Sequence, residues 1–294
     1  MSTHEIGQFI ASDGYAFRYR HWKPTARVPS GYVVALHGIQ SHAGWYESSS
    51  NRLAEHGYDV RFLDRRGSGL NDEQRGHAAH EDRLINDVVQ FLLDVSAERG
   101  RCAPDAPITL LAVSWSGKLA VAACARRPEL VDALALLYPG ICAKIRAGWC
   151  ERKLLQLADF LGVKHRPVRL PLDDATLFTD VPKWQDYIRD DRMALHQATT
   201  GFLNASRKLD VLAARAPERI ACPVLLMLAG KDRIIDNRAT RAYFERFASN
   251  ERTLIEYPDA AHTLEFEPDR DTFIADLVEW LRAVDKGQVE CESA

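Results

Sequence analysis

Six short apolar runs punctuate this chain: GYVVAL (31–36), YDVRFL (58–63), ITLLAV (108–113), VDALALLYP (131–139), PVLLMLA (223–229) and RTLIEY (252–257). Most are apolar on consecutive residues rather than on alternate ones. A strand with that pattern must be covered on both faces, which is the signature of a parallel sheet sandwiched between helices. Helical segments fall between the runs, at 45–57, 79–98, 115–126, 238–248 and 269–284, and a further strand is expected at 15–22. The alternation predicts an α/β fold with a mostly parallel central sheet.

One region breaks the rhythm. Between Pro139 and about Arg215 no strong strand is legible. WCERKLLQLADFLGV has helical spacing, RPVRLPLDD is Pro-rich and irregular, and DRMALHQATTGFLNASRKLDVLAAR is expected to be helical from its start. The organisation read from this is a core in two parts, 1–139 and 216–285, interrupted by a helical cap insertion at 140–215. A disordered tail is expected at 286–294. Ligands of open α/β sheets bind at the carboxyl ends of the strands, so an insertion leaving such an end is placed as a lid.

Composition narrows the function classes. A length of 294 residues with 46% apolar content suits one large domain with an insertion, and a net charge of −3 argues against a nucleic-acid binder. The six cysteines form no CxxC pair and no Cys/His zinc spacing, so free thiols are expected. The first residues carry no basic segment followed by an apolar one, and nowhere do 18 apolar residues run together. A cytoplasmic protein is the expectation, with no metal and no cofactor.

The chemistry is concentrated in LLAVSWSGKLA (110–120), where a strand leads through two serines into an Ala-rich helix. A hydrolytic serine needs a sharp exposed turn, a base, and an acid to orient the base. Centred on Ser114, the flanks two residues away are Ala112 and Ser116, both small enough for a helix to fold back on its strand. Centred on Ser116, one flank would be Lys118, which does not fit; Ser116 itself is expected to need only a small side chain. An ordinary helix-capping serine is the plain alternative. Asp232 follows the strand at 223–229 and His262 follows the strand at 252–257. The order Ser114, Asp232, His262, each at a strand's carboxyl end, is that of the α/β-hydrolase arrangement. Asp236 is the alternative acid. Two backbone N–H groups should form an oxyanion hole, one from Trp115 and one from Ile39 in the turn after GYVVAL. His37 and His42 are read as holding that loop by hydrogen bonds.

The stretch LHGIQSHAGWYESSSNRLAEHGYDVRFLDRRGSGLND resembles the monoacylglycerol lipase and lysophospholipase group of α/β-hydrolases, through His37, Gly38, His42, Tyr46, Gly67 and Gly69. YPGICAKI and FTDVPKWQDYIRDD resemble that group's cap. The resemblance covers about residues 10 to 284. It implies Ser114 as nucleophile, Asp232 as acid, His262 as base and a serine hydrolase acting on monoacylglycerols, lysophospholipids or similar single-acyl esters. A thioesterase or acyltransferase on the same triad, or a silent binding protein of the same fold, are the alternatives. The chain departs from the group at Ala112 and Ser116, in place of glycines, and at Asn71, in place of a frequent Ser.

The insertion is basic, with 13 Lys/Arg against 9 Asp/Glu. Leu154, Leu157, Ala158 and Leu161 repeat at helical spacing beside Arg152 and Lys153. Such a helix would either line the acyl tunnel or give weak peripheral contact with an anionic membrane.

Overall fold

The computed structural model describes residues 4–145 and 148–287. Its elements, in chain order, are β1 (Glu5–Ile10), β2 (Ala16–Trp22), β3 (Gly31–Leu36), α1 (Glu47–Glu55), β4 (Tyr58–Leu63), α2 (Glu81–Cys102), β5 (Ile108–Val113), α3 (Ser116–Arg126) and β6 (Ala133–Leu137). Then come α4 (Trp149–Phe160), β7 (Pro167–Arg169), α5 (Pro182–Asp190), β8 (Gln197–Thr199), α6 (Thr200–Ala213), β9 (Val224–Ala229), α7 (Asn237–Phe244), β10 (Arg252–Tyr257) and α8 (Arg270–Asp285). Eight strands make one sheet in the order β1-β2-β4-β3-β5-β6-β9-β10. All neighbours from β4 to β10 run parallel; only β2 runs against the rest.

The uninterrupted apolar runs are the central strands. Every residue of β3, β4, β5, β6 and β9 is buried. One face packs under α2, α3 and α6, around Val34, Leu110 and Leu134; the other packs under α1 and α8, around Val33, Leu111 and Leu225. Strict alternation along these strands thus feeds two cores, one on each side of the sheet.

Three elements differ from expectation. The edge strand β1 differs from expectation because EIGQFI has no regular apolar alternation and none of its residues is fully buried. It joins β2 through a tight turn in which Gly14 takes φ +84° and its N–H donates to the Ala11 carbonyl at 2.9 Å. The Asp13-Gly14 pair is the hairpin signal that marks this turn. Second, residues 191–199 are not helical: β8 pairs antiparallel with β7, setting Val168 against Ala198. The α6 helix starts only at Thr200, where the Thr199 hydroxyl accepts from the Phe202 N–H. Third, α2 runs through Gly100 to Cys102. Of the expected tail, residues 288–294 lie outside the described residues. Among the described residues no helix is long and apolar enough to cross a membrane.

The carboxyl ends of β3, β5, β9 and β10 lie on one side of the sheet. The loops that follow them carry Ile39, Ser114, Asp232 and His262.

Candidate active site

Ser114 sits between the last residue of β5 and the first turn of α3, with φ +52°. A non-glycine residue there is strained, and the strain is held by the surroundings. The Ser114 N–H donates to the Leu137 carbonyl at 3.0 Å, and its own carbonyl accepts from Gly117 N–H (2.9 Å) and Gly140 N–H (2.5 Å). The backbone closes so tightly that a Cβ on Gly117 would lie 2.5 Å from Pro139 Cβ, and one on Gly140 would lie 2.8 Å from Trp115 Cα. The crowding therefore falls on residues 117 and 140. Ala112 and Ser116 fit where the related group carries glycine.

Ser116 does more than stay small. Its hydroxyl accepts from the Val113 N–H at 3.0 Å and stands 2.8 Å from the Leu36 carbonyl and 2.9 Å from the Val113 carbonyl. It ties β5 to β3, and its partners are backbone groups rather than His262. That corrects the expectation that only size matters at 116.

Ser114, His262 and Asp232 come together. His262 Nε2 is 2.9 Å from Ser114 Oγ, and Nδ1 is 2.7 Å from Asp232 Oδ2. The ring and the carboxylate are buried. The other carboxylate oxygen, Oδ1, accepts from the Ile234 and Ile235 N–H groups at 2.7 and 2.9 Å, which locks the carboxylate plane. Lys144 reaches the Asp232 backbone carbonyl at 2.6 Å. Tyr138 packs against His262 in a T-shaped contact, with centroids 4.9 Å apart. Asp236 is elsewhere: it caps α7, accepting from the Ala239 N–H at 3.0 Å.

The loop that carries Ile39 comes close to the serine. A Cβ on Gly38, the neighbour of Ile39, would lie 3.4 Å from Ser114 Cβ. Among the described residues, neither the Ile39 N–H nor the Trp115 N–H donates to a protein acceptor. Two unspent donors beside a serine within reach of a histidine can bind a developing oxyanion.

His37 and His42 hold the loop. His37 Nδ1 donates to the Gly38 carbonyl at 2.7 Å, and Nε2 accepts from the Arg65 N–H at 2.9 Å. Gly38 offers only an acceptor and Arg65 N–H only a donor, so the tautomer follows. Burial and the Arg65 charge keep His37 well below the usual histidine range, hence neutral. His42 accepts from the Gly44 N–H and reaches Asp191 at 3.0 Å, linking the loop to the segment after α5. Asn71 accepts from the Arg18 N–H at 2.8 Å and donates to the Asp64 carbonyl at 2.6 Å, a bridge that a serine is too short to span. Gly140, Lys144 and Tyr138 were not singled out from the sequence; the YPG turn after β6 was the only local sign of them.

A cavity of about 1500 Å³ opens over Ser114 and His262. Its walls are largely aliphatic and aromatic, including Ile141, Leu155, Leu170 and Leu203. The α4 helix forms one side, yet Leu154, Leu157 and Phe160 remain 65%, 52% and 86% exposed. Among the described residues no group of three His, Cys, Asp or Glu side chains is placed to hold a metal ion.

The family described as serine aminopeptidase, S33 (Hydrolase_4) matches residues 27–269. The chain is 28% identical over 286 residues to the monoacylglycerol lipase of Mycolicibacterium smegmatis, covering 95% of this chain and 98% of that one. It is 25% identical over 268 residues to human monoglyceride lipase, covering 90% and 85%. The fold superposes on a soluble variant of the Saccharomyces cerevisiae monoglyceride lipase with TM-score 0.84 at 18% identity, covering 97% and 96%. On the Paleococcus ferrophilus monoacylglycerol lipase the TM-score is 0.79 at 20% identity, covering 91% and 99%.

Proposed function

The chain belongs to the serine aminopeptidase S33 family of α/β-hydrolases, and from that premise we propose that it hydrolyses single-acyl carboxylic esters through an acyl-enzyme on Ser114. His262 Nε2 takes the Ser114 proton as Oγ attacks the acyl carbonyl. The Ile39 and Trp115 N–H groups bind the oxyanion, and His262 then protonates the leaving alcohol. Water, deprotonated by the same nitrogen, releases the fatty acid. Asp232 holds the ring in the tautomer that leaves Nε2 free to accept, and it stabilises the imidazolium.

The observation that carries this reading is the relay from Ser114 Oγ to His262 to Asp232, at 2.9 and 2.7 Å, at the floor of an apolar cavity. A volume of about 1500 Å³ has room for a long acyl chain and its head group. Monoacylglycerol is the favoured substrate, since that is the activity named for its relatives in Mycolicibacterium smegmatis and Homo sapiens. Lysophospholipid is the next. The part of the insertion before α6 acts as the cap over this mouth, whereas α6 packs with α2 and α3 in the main core, so the expected insertion of 140–215 is too long at its end.

The exposed apolar side chains of α4 favour a second, compatible role for the cap. Trp149 and Phe160 stand exposed outside the cavity lining, while Leu154 and Leu157, also exposed, line its mouth beside Arg152. An amphipathic helix of that kind gives weak, salt-sensitive contact with anionic lipid.

A fluorophosphonate probe and an ester panel test the reading. The probe should modify Ser114, and Ser114→Ala should lower turnover of monoacyl esters by a factor on the order of 10³ or more. Modification of another residue overturns the site. A preference for acyl thioesters over monoacylglycerol and lysophospholipid overturns the substrate.

A further inference from the structure

The Arg65 side chain touches both halves of the candidate oxyanion hole. It follows β4 by two residues, is buried, and has no carboxylate within ion-pairing distance among the described residues. Its Nη1 donates to the Gly38 carbonyl at 3.1 Å and its Nη2 to the Ile39 carbonyl at 3.0 Å. The guanidinium carbon also lies 4.8 Å from the centroid of the Trp115 ring and 5.0 Å from that of Phe202 on α6. Nε has no partner.

These contacts have a directional consequence. The Gly38 carbonyl belongs to the same peptide unit as the Ile39 N–H. A trans peptide is planar, with its C=O and N–H pointing opposite ways. Holding the Gly38 oxygen therefore fixes the Ile39 N–H to point away from Arg65 and His37, in a loop whose Gly38 backbone lies beside Ser114. That oxygen is gripped twice, by Arg65 Nη1 and by His37 Nδ1. The Ile39 carbonyl, on the next peptide, is gripped by the other arm of the same fork. Donation from a cation also polarises the amide, which makes its N–H a stronger donor. On the far side, the flat guanidinium stacks on the indole of Trp115, the residue that supplies the second N–H. Burial lowers the Arg65 pKa. The energetic cost of placing an unpaired cation there argues for a purpose beyond packing.

We propose that Arg65 is a positioning residue for the oxyanion hole: its fork fixes and polarises the Gly38–Ile39 peptide while its face holds Trp115. This rests on the assignment of Ser114 as nucleophile. The residue acts through backbone amides that are engaged only once the tetrahedral intermediate forms. Its loss should therefore appear in kcat rather than in KM.

Arg65→Met keeps roughly the volume but removes both the fork and the guanidinium face; Arg65→Lys keeps the charge but loses the planar fork. In Arg65→Met, kcat on a monoacyl ester should fall roughly 10- to 100-fold, below the loss seen when an oxyanion donor is deleted outright. KM should stay within about threefold. Affinity for an alkylboronate, which mimics the tetrahedral adduct, should fall in step with kcat, as should the rate of fluorophosphonate inactivation. Arg65→Lys should regain part of the loss without reaching wild-type kcat. Thermal melting establishes the folded fraction against which each rate is normalised. A folded Arg65→Met with wild-type kcat, or with its loss carried by KM while boronate affinity is unchanged, overturns the proposal. If Arg65→Met does not fold, Arg65→Lys decides: wild-type kcat and boronate affinity would likewise overturn it. Absence of fluorophosphonate labelling of wild-type Ser114 is a separate result, and it refutes the nucleophile rather than the role of Arg65.

Discussion

Asp232→Asn tests the relay with the smallest change in shape. The site dictates which way the new amide must turn. Oδ1 accepts from two buried N–H groups, those of Ile234 and Ile235. An –NH2 there would face two donors and leave both unsatisfied, at about 1–3 kcal/mol each. The amide oxygen therefore takes the Oδ1 position and the –NH2 faces His262 Nδ1. That nitrogen must then accept, which moves the ring proton to Nε2. A protonated Nε2 donates to Ser114 Oγ instead of receiving its proton, so attack loses its base. Turnover should fall on the order of 10³- to 10⁴-fold, about 4–5.5 kcal/mol in the barrier. Fluorophosphonate inactivation should slow in parallel, with an unchanged melting temperature. Steady-state hydrolysis of a chromogenic acyl ester by the folded variant measures it. A kcat within tenfold of wild type would refute the reasoning, as would greater damage from Asp236→Asn, which only replaces one good helix cap by another.

Ser116→Ala leaves the Val113 N–H without its acceptor in a buried turn, so it should destabilise the fold by about 1–3 kcal/mol in urea melts while Ser114 still labels; a neutral result would mean the bridge is idle. Glu265 is buried near the start of α1, accepts from the Ser49 N–H, and is pushed up to about 7 by desolvation. The folded state therefore holds its proton more tightly than the unfolded chain, and this contribution is full below about pH 4.5 and fades as pH rises through 7. Wild-type stability should fall across that window by up to about 3 kcal/mol relative to Glu265→Gln, and parallel pH profiles would refute the assignment. Vesicle co-sedimentation should show low-salt binding to anionic bilayers that is lost when Arg152 and Lys153 are both changed to Glu; binding indifferent to that reversal leaves α4 as a tunnel wall.

What the sequence disclosed follows from where its information is local. Strands such as ITLLAV and VLLMLA announce themselves because burial on both faces favours apolar residues throughout, so composition and position coincide. Strand β1 hid because its polar residues, Glu5 and Gln8, fall on opposite faces and break the alternation that marks a half-buried strand. The β7–β8 ribbon hid because three-residue strands carry no period. Ser114, Asp232 and His262 were legible because each is a reactive residue type just beyond a recognisable strand. Gly140, Lys144 and Arg65 were not, because their contacts run to backbone atoms far away in sequence: Arg65 reaches 26 and 27 residues back, and Lys144 reaches 88 residues forward. No residue pattern encodes a hydrogen bond to a carbonyl, which every residue possesses.

The same distinction explains why the elbow tolerates the loss of its expected glycines. A glycine is needed where backbone meets backbone, since a neighbouring main chain cannot yield. At 140 the intruding Cβ would strike the Trp115 backbone at 2.8 and 2.9 Å, and at 117 it would strike the Pro139 ring. Positions 112 and 116 face a different environment. Ala112 lies in the sheet paired with Leu36 and Leu136, and the Ser116 side chain finds three polar partners where β3 and β5 meet. A methyl or hydroxymethyl group there fills space and, at 116, satisfies groups that a glycine would leave to other partners. The departure from the related group is thus a redistribution of constraint along the turn: the tight approach is kept by Gly117 and Gly140, and the strained φ of Ser114 survives because its N–H and carbonyl are both bonded into the strand and loop that flank it.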